Sequence, residues 1–101
     1  MSFDERRQFP RVACRFPASA EGPRGPVRGT CADLSMGGLF LEGVTLNSGS
    51  LTSVTIEFPT GALSFQVQVR RVSTQPRGSG LQFTRLESNQ LAVLQRHASA
   101  R

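Results

Sequence analysis

Val54-Thr55-Ile56-Glu57-Phe58-Pro59-Thr60-Gly61-Ala62-Leu63-Ser64-Phe65-Gln66-Val67-Gln68-Val69-Arg70 is the stretch whose reading decides the fold. Before Pro59, Val54, Ile56 and Phe58 alternate with Thr55 and Glu57. After Gly61, Leu63, Phe65, Val67 and Val69 alternate with Ser64, Gln66, Gln68 and Arg70. A period of two sends successive side chains to opposite faces, so each run reads as a strand with one face buried. Pro sets φ for the second position of a type I turn and Gly suits the fourth, so Pro59-Thr60-Gly61 reads as the reverse turn between them.

The same punctuation recurs at Pro23-Arg24-Gly25 and Pro76-Arg77-Gly78. Ahead of the first, Val12, Cys14, Phe16 and Ala18 share one face and Arg11, Arg15 and Ser19 the other. Val27 to Leu34 forms a second strand with weaker alternation. Gly38 to Glu42, with Leu39 and Leu41 opposed to Phe40, forms a short third. Gly43 to Ser50 reads as a polar connection, and Leu81 and Phe83 mark a sixth strand. Six short strands joined by tight turns predict a six-stranded antiparallel β-barrel, an arrangement that leaves few edges unpaired. From Glu87 the period becomes helical: Leu91, Leu94 and Ala98 form a stripe, and Ser88 is the expected N-cap. A helix of this length is marginal alone and should pack on the barrel. The first residues show neither period and are expected to form a flexible arm. The fold class is therefore all-β with a C-terminal helix, in one domain over 1–101: arm 1–10, barrel 11–86, helix 87–101.

Composition narrows the function. All twelve basic side chains are Arg, against seven acidic ones, for a net charge of +5. Arg grips phosphates and guanine edges bidentately and stacks on rings in ways Lys does not. A coding bias from Lys to Arg explains the same count, so position has to decide. No apolar run is long enough to span a bilayer, and the opening Met-Ser-Phe-Asp-Glu-Arg-Arg is too polar for a signal peptide. Two cysteines do not make a secreted disulfide scaffold. The expectation is a cytoplasmic protein without membrane insertion.

Enzyme chemistry finds little support. His97 is the one His, read as a solvated helix residue, and three-residue metal sites need more ligands than the chain offers. No G-x-S-x-G elbow or phosphate-cradling P-loop is present. Cys14 and Cys31 fall on neighbouring strands, where they read as two small core hydrophobes rather than as a disulfide. Neither catalysis, metal nor cofactor is expected.

Two constellations remain. Glu5-Arg6-Arg7-Gln8-Phe9-Pro10-Arg11 carries three Arg around a Pro that disfavours helix, which suits an extended arm folding over an anion. Asp33-Leu34-Ser35-Met36-Gly37-Gly38 lies between the second and third strands. Asp33 can accept from guanine N1–H and the exocyclic amine, and Ser35 offers a hydroxyl. By themselves, the first is an ordinary charged tail and the second a polar β-turn.

Together, in this order, they resemble the PilZ family of bacterial cyclic di-GMP receptors. That family carries R-x-x-x-R at the start of the domain, here Arg7 and Arg11. Some 20 to 30 residues later it carries [D/N]-x-S-x-x-G, here Asp33, Ser35 and Gly38. Gly38-Leu39-Phe40-Leu41, Val69-Arg70-Arg71-Val72 and Gly80-Leu81-Gln82-Phe83 are similar to its strands. The resemblance implies that Arg7 and Arg11 grip phosphates and guanine edges, that Asp33 reads one guanine, that Ser35 supports the phosphate–ribose side, and that Gly38 leaves room for the ligand. It implies that Arg6 favours two intercalated ligand molecules, and that Arg71, with Arg70 as the alternative, adds a contact from the fifth strand. The arm would fold over the ligand and alter the surface offered to an unidentified effector protein, with the chain a monomer or weak homodimer. Two rivals stand beside this reading. One is a small barrel that binds single-stranded nucleic acid, although only Phe9 is an exposed stacking candidate. The other is a protein-interaction adaptor that ignores the nucleotide, against which the intact motifs argue.

Overall fold

A computed structural model describes residues 10–98. The alternating runs become β1 (Val12–Gly22), β2 (Gly25–Leu34), β3 (Gly38–Glu42), β4 (Leu51–Phe58), β5 (Gly61–Thr74) and β6 (Arg77–Arg85), followed by α1 (Ser88–Ala98). The strands close into an antiparallel barrel in the order β1-β2-β3-β6-β5-β4. Inward positions follow the period read from the sequence: Val54, Ile56, Phe58, Phe65, Val67, Val69, Leu81 and Phe83 are all buried. Phe58, Phe65 and Phe83 form an aromatic chain through this core, with ring centroids 6.3 and 4.9 Å apart.

Two of the three turns take the expected form. Gly22 pairs with Gly25 and Phe58 with Gly61, which leaves Pro23-Arg24 and Pro59-Thr60 as two-residue connections. Gly25 and Gly61 have φ of 119° and 133°, a region that side-chain-bearing residues rarely enter. The third differs. Thr74 pairs with Arg77, so Pro76 is the third residue of its turn rather than the second, and the Gln75–Pro76 peptide bond is cis.

The connection between β3 and β4 contributes to the core although its composition reads as a polar loop. β3 and β4 are not neighbours, so the chain must cross one end of the barrel, and Val44 and Leu46 are buried as it does so. Buried Ser79 holds the crossing: its Oγ donates to the Val44 carbonyl (2.8 Å) and accepts from Leu46 N–H (3.0 Å).

Barrel closure is uneven. β1 meets β4 through three register pairs, Ala18↔Ile56, Ser19↔Thr55 and Ala20↔Val54, so the first half of β1 is held by β2 on one side. Helix α1 packs where that half diverges from β4. Leu94 and Ala98 are buried, while Leu91, expected on the same stripe, is 38% exposed. His97 is not the solvated residue expected from its place on a terminal helix. Its ring stacks on Phe58 at 4.8 Å and meets the edge of Phe16 at 5.8 Å, because the apolar face of α1 turns His97 inward beside Leu94 and Ala98. The helix starts at Ser88 itself, so its cap lies one residue earlier than expected. Leu91 N–H donates to the Glu87 carbonyl, and Gln90 Oε1 reaches back to accept from Glu87 N–H at 2.7 Å. That is half of a capping box with Glu87, not Ser88, at the N-cap.

Candidate functional site

Antiparallel pairing of β1 with β2 sets Ala13 beside Asp33 and Val12 beside Leu34. The pairing brings Arg11, 22 positions before Asp33 in sequence, into contact with it. Arg11 Nη1 donates to Asp33 Oδ1 at 2.6 Å, and both side chains keep access to solvent. The lateral partners of Asp33 continue around the outside of the barrel, from Asp33 to Phe40 on β3, Gly80 on β6 and Arg71 on β5. Residues directly opposite one another across antiparallel strands share a face. Arg71 therefore stands on the same outer face as Asp33, three strand spacings or about 14 Å away along the surface. Its guanidinium lies across Gly80, with Nε and Nη2 about 3.7 Å from the place a Cβ would take. Arg70 is occupied differently, donating from Nη1 to Gln82 Oε1 at 2.7 Å.

The loop after β2 is built by its own residues. Ser35 is buried, and its Oγ accepts from the backbone N–H groups of Gly37 (3.0 Å) and Gly38 (3.1 Å). Ser35 N–H donates to the Gly38 carbonyl at 2.8 Å. The hydroxyl thus folds the loop that positions Asp33. Gly38 has a packing reason of its own, since a Cβ there would collide with the Leu81 carbonyl oxygen on β6. Arg6 and Arg7, with Phe9, lie outside the described residues.

Beneath Asp33 lie the two thiols. Cys14 and Cys31 are free and face one another with Sγ atoms 3.7 Å apart; Cys14 Sγ also donates to the Cys31 carbonyl, and Cys31 Sγ to that of Asp33. Burial pushes both thiols up from the ordinary value, Cys31 strongly, with the Cys14 thiol and the Asp33 carboxylate adding to the effect at Cys31. Both therefore stay protonated near neutrality, as expected of core residues.

Two features of this face were not singled out from the sequence. Arg15 Nη1 crosses β2 to Glu42 Oε1 on β3 at 3.6 Å, and the signal was its spacing of four residues after Arg11. Phe40 is buried although it points away from the core, because its ring lies over Gly78; two glycines two apart in one strand mark such an approach. A groove of about 370 Å³ between α1 and the outer faces of β4 and β5, lined by Ser53, Ser64, Gln66, Arg85 and Gln90 among others, contains none of the motif residues. Arg11 and Asp33 stand on the solvent-accessible outer face of the barrel, outside that groove. Among the described residues no cluster of three metal-ligating side chains occurs, and no helix is long and apolar enough to cross a membrane.

A family model described as the PilZ domain matches residues 5–100. The chain belongs to the PilZ family. PilZ domains are receptor and adaptor domains rather than enzymes. Solved PilZ-type structures share the barrel. The PilZ domain of Escherichia coli YcgR, determined with c-di-GMP, matches with TM-score 0.77 at 17% identity over 92% of this chain and 88% of its own. The Bacillus subtilis inhibitor of motility, MotI/DgrA, matches with TM-score 0.78 at 19% identity over 92% of this chain. The PilZ domain of CeSA from a cellulose-synthesizing bacterium gives 0.66 at 20% identity, covering 88% of this chain and 94% of its own. The PilZ chain spans 49% of the length of MotI/DgrA. No curated protein matches it.

Proposed function

We propose that this PilZ chain is a cytoplasmic cyclic di-GMP receptor that carries out no catalysis and passes the signal to a partner protein. The observation that carries the reading is the Arg11–Asp33 pair at 2.6 Å, which sets a guanidinium and a carboxylate side by side on one open face. A guanine needs the carboxylate for its N1–H and amine and a guanidinium for its O6/N7 edge, while the phosphates need further Arg. Arg7 is assigned to the phosphates with Arg11, and Arg6 to a stacking plane for a second ligand molecule. Arg71 contributes from the far end of the same row. Ser35 supports the phosphate–ribose side either through the loop it folds or by exchanging one of its backbone bonds, and Gly38 leaves the face bare.

The single-stranded nucleic-acid reading loses ground, because Phe16, Phe40, Phe58, Phe65 and Phe83 are all buried or half-buried and offer no exposed stacking platform among the described residues. Calorimetry with cyclic di-GMP tests the proposal and gives the stoichiometry. Wild type binds, Arg7→Ala and Arg11→Ala bind at least tenfold more weakly, and Asp33→Ala loses discrimination against the adenine analogue. Absence of binding by wild type at tens of micromolar overturns the reading.

A further inference from the structure

On the outer face, Arg11–Asp33 is not alone. Arg15 leaves β1 within its bulge, the irregularity between Ala13 and Phe16, and a bulge re-aims the side chain it carries. From there the guanidinium passes over β2 to Glu42, which lies on β3 two residues from Phe40, the lateral partner of Asp33. Two residues of strand are about 7 Å, so the Arg15–Glu42 pair stands one row from the Arg11–Asp33 pair, on the same surface. The two differ in quality. Arg11 meets Asp33 at 2.6 Å, whereas Arg15 meets Glu42 at 3.6 Å with 73% of its side chain exposed. A long, solvated pair of this kind is worth little and breaks readily.

We infer that Arg15 is a further guanidinium contact for the dianionic ligand, beyond those assigned above, and that Glu42 competes with the ligand for it and so sets the affinity. Resting on the cyclic di-GMP reading above, this deepens it. On binding, the Arg15 guanidinium leaves Glu42 and takes a phosphate or a guanine edge. The swap loses one weak pair and gains a charge-assisted hydrogen bond.

The barrel supplies a matched control. Arg28 on β2 crosses the neighbouring strand β1 to Glu57 on β4 at 3.7 Å, with 71% of its side chain exposed. It lies five residues along β2 from Asp33, about 16 Å away. Arg15→Ala and Arg28→Ala remove the same charge from guanidinium groups of nearly equal exposure, so long-range attraction for an anion falls alike in both. Calorimetry with cyclic di-GMP should show binding about tenfold weaker for Arg15→Ala, close to wild type for Arg28→Ala, and about threefold tighter for Glu42→Gln. The gain from Glu42→Gln should vanish in the Arg15→Ala background, since Glu42 acts by occupying Arg15. If wild type binds and Arg15→Ala equals Arg28→Ala, the inference falls and the receptor reading stands. If the Glu42→Gln gain survives without Arg15, Glu42 acts by simple repulsion and the competition is overturned. No binding by wild type takes down both readings.

Discussion

Cys14 and Cys31 show what a single residue pair contributes apart from any ligand. Their Sγ atoms touch beneath the motif face, and burial holds both thiols protonated. In the unfolded chain a thiol titrates near its ordinary value of 9.0, whereas the folded thiols titrate higher. Above that pH the unfolded state releases protons that the native state keeps, so stability falls as pH rises; below it the contribution is constant. The sequence contains neither Lys nor Tyr, and Arg does not titrate, so the thiols dominate this window. Urea unfolding should show a loss of about 1.4 kcal/mol at pH 10 relative to pH 8 for one thiol that stays protonated. Replacing both cysteines by Ala should flatten the profile, and an equally steep decline in that variant would refute the assignment. At this scale Arg11 and Asp33 were legible as members of two short motifs joined by a family resemblance, whereas their direct contact was not, because it depends on the pairing of β1 with β2. Nor was the inward turn of His97 legible, since a ring that stacks on Phe58 carries no mark in a one-dimensional pattern.

Among the elements, the junction of β3 with β6 is the least forgiving. Gly38 pairs with Gln82, and the Leu81 carbonyl occupies the space a side chain at 38 would need. Backbone cannot move aside as a flexible side chain can, so Gly38→Ala should cost about 2 kcal/mol, seen as a melting temperature lower by about 10 °C. A variant that melts like wild type yet loses the ligand would instead give Gly38 a purely ligand-facing role. The elements themselves were largely readable from period and punctuation, since half-buried strands must alternate. The exceptions share one cause. Val44 and Leu46 are isolated apolar residues in a polar run, and the cap of α1 rests on Gln90 reaching backward; neither leaves a periodic signal. The cis bond before Pro76 is likewise invisible to a rule that places Pro second in a turn.

For the molecule as a whole, the three-pair seam between β1 and β4 is the junction with the fewest register pairs. β4 and β5, by contrast, pair along eight successive positions. Hydrogen exchange should therefore find the amides of Ala18–Ala20 opening before those of Phe65, Val67 and Val69, because local opening follows the number of interactions that must break together. Equal protection would mean that α1 secures the seam as firmly as strand pairing does. That helix also fixes where the chain comes and goes. Phe16, in the first half of β1, touches His97, near the end of α1, so the first residue of β1 stands about four strand residues, roughly 13 Å, beyond that contact. A unit built in this way is modular: it can hang from a host as an appendage or be spliced into a host loop without prising that loop apart.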